Sequence, residues 1–263
     1  MISFIGNGNM GRAILGGILN AGPYQKNEIT VADCNRDGLL KTAEQYGVSI
    51  TDKNTEAAKA ADILILAVKP QILYQVIAEI RDEVSEGCLI ISIAAGQSIE
   101  RIEKAFGHPI KLVRVMPNTP ALVGEAMSAL SPNKNITDSE LSAAKDIFCS
   151  LGKAEIVPEH LMDAVTAVSG SSPAYVFMLI EAMADAAVEA GMPRAQSYTF
   201  AAQAVLGSAK MALELGKHPG ELKDMVCSPA GTTIAAVKVL ENDGFRAAIM
   251  NAMEACVKRS QTL

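Results

Sequence analysis

The segment ISFIGNGNMGRAILGG, residues 2–17, constrains the fold of this chain more than any other stretch. A short apolar, strand-like run ends directly in Gly6-x-Gly8-x-x-Gly11, and those glycines open a helical pattern rich in small residues. In that setting each glycine has its own task. The first permits the tight turn, the second lets the backbone approach a pyrophosphate, and the third lets the helix pack on the strand. Phosphates then rest on free N–H groups at the positive end of the helix. Gly6, Asn7, Gly8, Asn9, Met10 and Gly11 therefore read as a phosphate loop. The plainer alternative is a glycine-rich turn that holds no ligand.

The following residues repeat the same alternation. Strand-like runs occur at ISFI, EITVAD, DILILAV, CLIISIA and IKLVRV, with weaker ones at AMSAL and AEIVP. Helical patterns lie near 9–21, 36–46, 71–84, 98–106 and 137–151. Runs such as ILILAV, apolar at successive positions, suit strands covered on both faces, and alternation with helices suits a parallel, doubly wound sheet. The expected fold is α/β: a Rossmann-type domain over residues 1–157, followed by an all-α domain over 158–263, because the strand signal ends near 160.

In the second part, SPAYVFMLIEAMADAAVEAGMP reads as one helix entered through Ser172-Pro173 and stopped by Gly191 and Pro193. Its polar residues Glu181, Asp185 and Glu189 share one stripe, and nearly all the rest is apolar. Such a helix is normally buried. About 100 residues hardly surround it, so a second subunit is expected to cover it. A further helix near 195–215 and a last one near 244–260, ending in Lys258 and Arg259, complete the domain.

Composition removes several classes of function. The net charge of −6 argues against a nucleic acid or an anionic membrane as partner. No apolar run approaches the roughly 20 residues of a membrane span, and a strand-like run starting at Ile2 argues against a signal peptide. Cys34, Cys88, Cys149, Cys227 and Cys256 form no C-x-x-C pair, which suits reduced thiols in a cytoplasm. His108, His160 and His218 lie far apart with no ligand spacing, so no bound metal is expected.

Two residues pull the choice of dinucleotide in opposite directions. Asp33 ends the second strand 22 residues after Gly11 (33 − 11), near the spacing of an acid on the ribose hydroxyls of NAD. Asn35 and Arg36 follow, and a guanidinium there can neutralise the 2′-phosphate of NADP. The balance favours NADP, with NADPH preferred and NADH allowed. Arg36 as a plain solvated residue is the alternative. The loops Ala67, Val68, Lys69, Pro70 and Ala94, Ala95, Gly96 follow buried strands and so reach the carboxyl edge of the sheet, where such ligands bind. Lys69 either meets phosphate or ribose or rims its loop. Asn118, in the stiff MPNTPA loop, either reaches a nicotinamide amide or serves the turn.

The stretch SPAGTT, residues 228–233, precedes the apolar run IAAVKVLE. It reads as a helix start. Ser228 or Thr232 can act as N-cap, or the helix start can stay open for an anion.

Several segments resemble one family in order and along almost the whole chain. These are FIGNGNMGRAILGG, AVKP, SIAAG, MPNTPA, VSGSSPAYVF, HPGELKDMVCSPAGTTIAAVKVLE and GFRAAI. They are similar to the pyrroline-5-carboxylate reductases, and LKDMVCSPAGTTIAAVKVLE is the most specific of them. The resemblance implies reduction of the imine 1-pyrroline-5-carboxylate to L-proline with NAD(P)H, the last step of proline biosynthesis. It also implies a homodimer through the helical domain, with further assembly into decamers. The nucleotide loops carry over to Gly6 through Gly11, Asn35, Arg36, Asn54, Ala67 through Pro70, and Ala94 through Gly96. The substrate site carries over to Thr233 near the ring nitrogen, with Gly231 and Thr232 near the carboxylate. Ala230 departs from the pattern, since many members have glycine there, and alanine tolerates fewer backbone conformations.

The implied chemistry explains the composition of SPAGTT. The substrate carries one carboxylate and one C=N bond, and the amine formed is a good proton acceptor, so no strong buried base is required. A carboxylate anchor is required. Helix-initial N–H groups at Gly231, Thr232 and Thr233, with the Ser228 hydroxyl, supply one without a buried cation. Thr233 is the expected catalytic residue. The competing expectations are a different imine or hydroxy-acid reductase, which calls for a lysine such as Lys210, and a dinucleotide-binding scaffold without chemistry.

Overall fold

A computed structural model describes residues 1–22 and 24–262. The chain divides into two compact units. One holds Met1–Ser171 and the C-terminal residues from Cys256 on; the other holds Ser172–Ala255.

The first unit is a single eight-stranded sheet with helices on both faces. Its elements run β1 (Ile2–Ile5), α1 (Asn9–Ala21), β2 (Ile29–Ala32), α2 (Arg36–Tyr46), β3 (Ser49–Thr51), α3 (Asn54–Lys59), β4 (Ile63–Leu66) and α4 (Pro70–Ile80). They continue with β5 (Leu89–Ser92), α5 (Ile99–Phe106), β6 (Lys111–Met116), β7 (Ala126–Pro132), α6 (Asp138–Cys149), β8 (Gly152–Ile156) and α7 (Met162–Val165). The strand order is β3-β2-β1-β4-β5-β6-β7-β8. The reversal of winding between β1 and β4 creates the crevice in which open α/β sheets bind ligands.

The sheet faces explain the apolar runs. Ile2 and Phe4 of β1 pack with Ile14 and Ile18 of α1 and Phe148 of α6 on one side. Ile5, Leu64 and Leu66 pack with Leu73 and Ile77 of α4 and Phe106 of α5 on the other. Residues alternate sides along a strand, so β1, β4 and β5 must be apolar at nearly every position.

Three details differ from the sequence reading. β3 and α3 were not foreseen. β3 has three residues, none of them buried, so it carries almost no apolar signal. α3 is a six-residue helix. The third difference is β7, which pairs antiparallel with β6, Met116 lying opposite Ala129, so the sheet is not wholly parallel. The connection, residues 117–125, is shorter than the dozen or more residues a parallel crossover needs. A parallel partner returns at β8, after the α6 crossover.

The second unit is helical: α8 (Ser172–Glu189), α9 (Arg194–Leu215), α10 (Pro219–Val226), α11 (Thr232–Asn242) and most of α12 (Phe245–Ser260). α8 and α9 pack on each other as a helical hairpin, with Arg194 paired to Asp185 across the turn. Only Ala184 of α8 is buried, whereas Phe177 is 64% and Met178 68% exposed. On α9, Phe200 is 65% exposed. Such a surface is far more apolar than an isolated soluble unit normally presents.

Candidate active site

The cofactor end is built on the carboxyl edges of β1, β4 and β5. Gly6 has φ +108, and a Cβ there would lie 2.5 Å from the Ala67 carbonyl oxygen. A Cβ on Gly11 would lie 2.6 Å from the Gly6 carbonyl oxygen. Both positions exclude side chains for steric reasons. A Cβ on Gly8 would meet nothing within 4 Å, so this glycine opens onto free space above the loop. Gly8 is also the N-cap of α1, with no side-chain cap and no acidic residue in the first turn. The first N–H groups of an α-helix have no partner within the helix. The tight glycines, the open one and the uncapped helix start together fit a pyrophosphate.

Asp33 binds backbone on both sides of it. Its Oδ2 accepts the Asn7 N–H at 2.7 Å and its Oδ1 accepts the Asn35 N–H at 2.8 Å. The carboxylate ties together the loops on either side. Asn35 is the N-cap of α2, its Oδ1 accepting the Gly38 N–H at 3.0 Å. Arg36 is exposed and forms no ion pair among the described residues. Asp33 thus serves the two loops, and Arg36 stands open to an anion. Thr42, not foreseen, donates to Asn7 Oδ1 at 3.0 Å and fixes the phosphate loop from α2. No local sequence pattern marks it.

The remaining loops also reach that edge. Ala67 donates to the Ile5 carbonyl at 2.8 Å and its own carbonyl lies against Gly6. Val68 follows, and exposed Lys69 is the N-cap of α4, with Pro70 as its first residue. Ala94 and Ala95 lead to Gly96, which turns at φ +72. Asn54 opens α3 and donates to Glu79 at 2.9 Å. Of the two roles offered to Asn118, its hydrogen bonds show the one in the turn. Its Oδ1 accepts the Met127 N–H at 2.9 Å and its Nδ2 donates to the Ser169 carbonyl at 3.0 Å. The carboxamide holds the MPNTPA loop, which is the structural role.

The helical unit carries the other candidate site. Ser228-Pro229-Ala230-Gly231 is a turn closed by the Gly231 N–H donating to the Ser228 carbonyl at 3.0 Å. Proline at the second place and a positive φ at the third are the type II arrangement, which favours glycine at the third. Here the third residue is Ala230, with φ 56, the sole non-glycine residue with positive φ among those described. The N-cap of α11 is Gly231, and no side chain caps it. Neither Ser228 nor Thr232 is the cap. The Gly231 amide is taken by this turn, which leaves the N–H groups of Thr232, Thr233 and Ile234 as the open donors of the helix start. The turn brings the Ser228 hydroxyl back over this helix start, its Oγ 2.3 Å from where a Gly231 Cβ would stand. Thr233 is half-buried in the first turn. The arrangement offers donors and no cation, and suits one small carboxylate.

A two-faced sheet with an open phosphate loop, followed by a helical unit with an uncapped, hydroxyl-rich helix start, has the make-up of a dinucleotide-dependent oxidoreductase. Residues 159–263 match the family model for pyrroline-5-carboxylate reductase dimerisation, and residues 1–96 match that for coenzyme F420-dependent NADP oxidoreductases. The chain is 51% identical over 262 residues to the pyrroline-5-carboxylate reductase of Escherichia coli K12, covering 100% of this chain and 97% of that protein. It is 49% identical to that of Methanosarcina acetivorans, with the same coverage. The crystal structure of the Plasmodium falciparum enzyme with NADP bound superposes with a TM-score of 0.91 at 35% identity, covering 99% of this chain and 97% of that one. The chain belongs to the pyrroline-5-carboxylate reductase family. It is an NAD(P)H-dependent oxidoreductase that forms homo-oligomers.

Proposed function

We propose that this enzyme reduces 1-pyrroline-5-carboxylate to L-proline, with NADPH preferred over NADH, as the last step of proline biosynthesis. The observation that carries the reading is the uncapped start of α11 behind a strained turn, with hydroxyls on Ser228, Thr232 and Thr233. NAD(P)H supplies a hydride when bound. Gly6 through Gly11 and Arg36 hold its phosphates, with Asn35, Asn54, Ala67 through Pro70 and Ala94 through Gly96 bordering the same edge.

The N–H groups of Thr232 and Thr233 and the Ser228 hydroxyl hold the substrate carboxylate. The Thr233 hydroxyl meets the ring nitrogen, orients the ring and stabilises its protonated form. A helix start interacts with a partly buried anion by up to about 2 kcal/mol. Each hydrogen bond to a charged acceptor contributes about 1.5–3 kcal/mol. Reduction turns the imine nitrogen into an amine, which retains the proton, so no lysine or histidine base enters. Lys210, the residue a hydroxy-acid mechanism would use, is 68% exposed and lies 3.6 Å from Glu214 on the α9 surface.

Residues 158–263 act as the dimerisation and substrate domain, dimers assemble further into decamers, and the unpaired cysteines suit a cytoplasm. The deciding experiment is NADPH oxidation on adding pyrroline-5-carboxylate, followed at the nicotinamide absorbance. Oxidation to a stoichiometric yield of proline upholds the reading. Dinucleotide binding without oxidation would make the chain a scaffold.

A further inference from the structure

The first unit contains a cavity of about 700 Å³ between α4, α5 and the end of α12. Every charged residue lining it is a cation: Arg101, Lys104 and Arg259. Arg101 and Lys104 lie three apart on α5, so they share a face of that helix. Arg259 is positioned by its neighbour, because buried Ser260 donates to Asp163 at 2.7 Å and ties down the last turn of α12. Arg259 also donates to Thr262, at 3.4 Å. None of the three cations has an ion-pair partner among the described residues. The site is backed by Gln97, 4% exposed, whose Oε1 accepts the Tyr74 hydroxyl.

In a chain of net charge −6, three unpaired cations facing one concavity reverse the local field. Like charges held together without a counter-ion repel, and a bound anion relieves that repulsion. The volume lies within the 300–1,000 Å³ typical of small-molecule sites. Guanidinium groups match phosphate oxygens in pairs.

We infer that this cavity is a second anion site, which takes a small multiply phosphorylated compound. It is separate from the phosphate loop at α1 and from the carboxylate anchor at α11. It adjoins the cofactor edge through chain neighbours: Pro70 follows Lys69, and Gln97 follows Gly96. An occupant therefore bears on the two loops that border the dinucleotide, which makes the cavity a place from which phosphate compounds adjust cofactor binding.

The test is calorimetric titration of tripolyphosphate, and in parallel ATP, into the full-length enzyme saturated with NADP⁺ so that the dinucleotide site is closed to both. One site per chain is expected, weakening as salt rises. Arg101→Ala with Lys104→Ala should weaken it about tenfold or more, and Arg259→Ala should weaken it independently. Tighter binding of ATP identifies a nucleotide as the occupant; equal binding identifies a free polyphosphate. Absence of binding to the saturated wild type, or equal binding to the folded variants, overturns the inference. The coupling to the cofactor edge rests on the reductase reading, but the binding does not. Tripolyphosphate binding in a chain that fails to oxidise NADPH keeps this site and removes that reading.

Discussion

The Asp33 carboxylate accepts the backbone N–H of Asn7 at 2.7 Å, joining the end of β2 to the phosphate loop. Its second oxygen takes the Asn35 N–H at 2.8 Å. One side chain therefore sets both the glycine loop and the turn that carries Arg36. Asp33→Asn replaces one accepting oxygen with a donor facing an N–H. It should raise the Kd of NADPH and of NADH together, each about tenfold, leaving their ratio unchanged. Arg36→Ala should raise the Kd of NADPH alone. A selective loss of NADH in the Asp33 variant, measured by equilibrium titration, would return Asp33 to the ribose.

Ala230 adopts φ 56 in the turn before α11. A non-glycine residue there costs about 1–2 kcal/mol, partly offset in the unfolded chain. Ala230→Gly should keep KM and kcat within about twofold and leave stability equal or slightly raised. Ala230→Val, β-branched, should raise KM for the imine several-fold while NADPH affinity holds. Steady-state kinetics and thermal melts decide it.

Thr233 stands in the first turn of α11, beside amides without a cap. Thr233→Ala should lower kcat about 10–100-fold with NADPH affinity unchanged, whereas Thr233→Ser should recover most of the rate. Equal rates for the alanine variant and wild type would remove Thr233 from the chemistry.

The exposed apolar faces of α8 and α9 fit burial between subunits. Phe177→Glu combined with Phe200→Glu should shift the protein to monomers in sedimentation velocity, since a desolvated unpaired charge is costly. Activity should fall with the oligomer. An unchanged sedimentation coefficient would place the interface elsewhere.

Burial pushes the Cys88 thiol from 9.0 up to about 12. Its protonated form is therefore favoured in the folded state. That contribution is complete below pH 9 and is lost as pH rises towards 12. Iodoacetamide at pH 8 should label exposed Cys34 and Cys149 and reach Cys88 only after denaturation, as peptide mass mapping would show.

The parts of the fold that could be read in advance are those whose signal is local. β1, β4 and β5 are covered on both faces, so their residues are apolar in succession and advertise themselves. α1 and α2 lie where the helical patterns near 9–21 and 36–46 placed them, because each pattern follows directly on a strand. The three-residue β3 lies at the sheet edge and has no apolar signature. The direction of β7 was readable in principle from its short connection, but its alternating AMSAL pattern does not distinguish parallel from antiparallel.

Glycine spacing, helix periodicity and the hydroxyl-rich start of α11 are matters of neighbouring residues, and together with the resemblance of several segments to one family they were enough to place the chain in its class of chemistry. The fate of individual polar atoms was not, because a side chain's partner depends on where the chain returns. Asp33 meets Asn7 26 residues away, and Asn118 meets a carbonyl 51 residues away. Both read as ligand contacts in the sequence, and folding supplies backbone groups that they also hold. The cations Arg101, Lys104 and Arg259 look like ordinary surface charge in the sequence, and folding turns them towards one cavity.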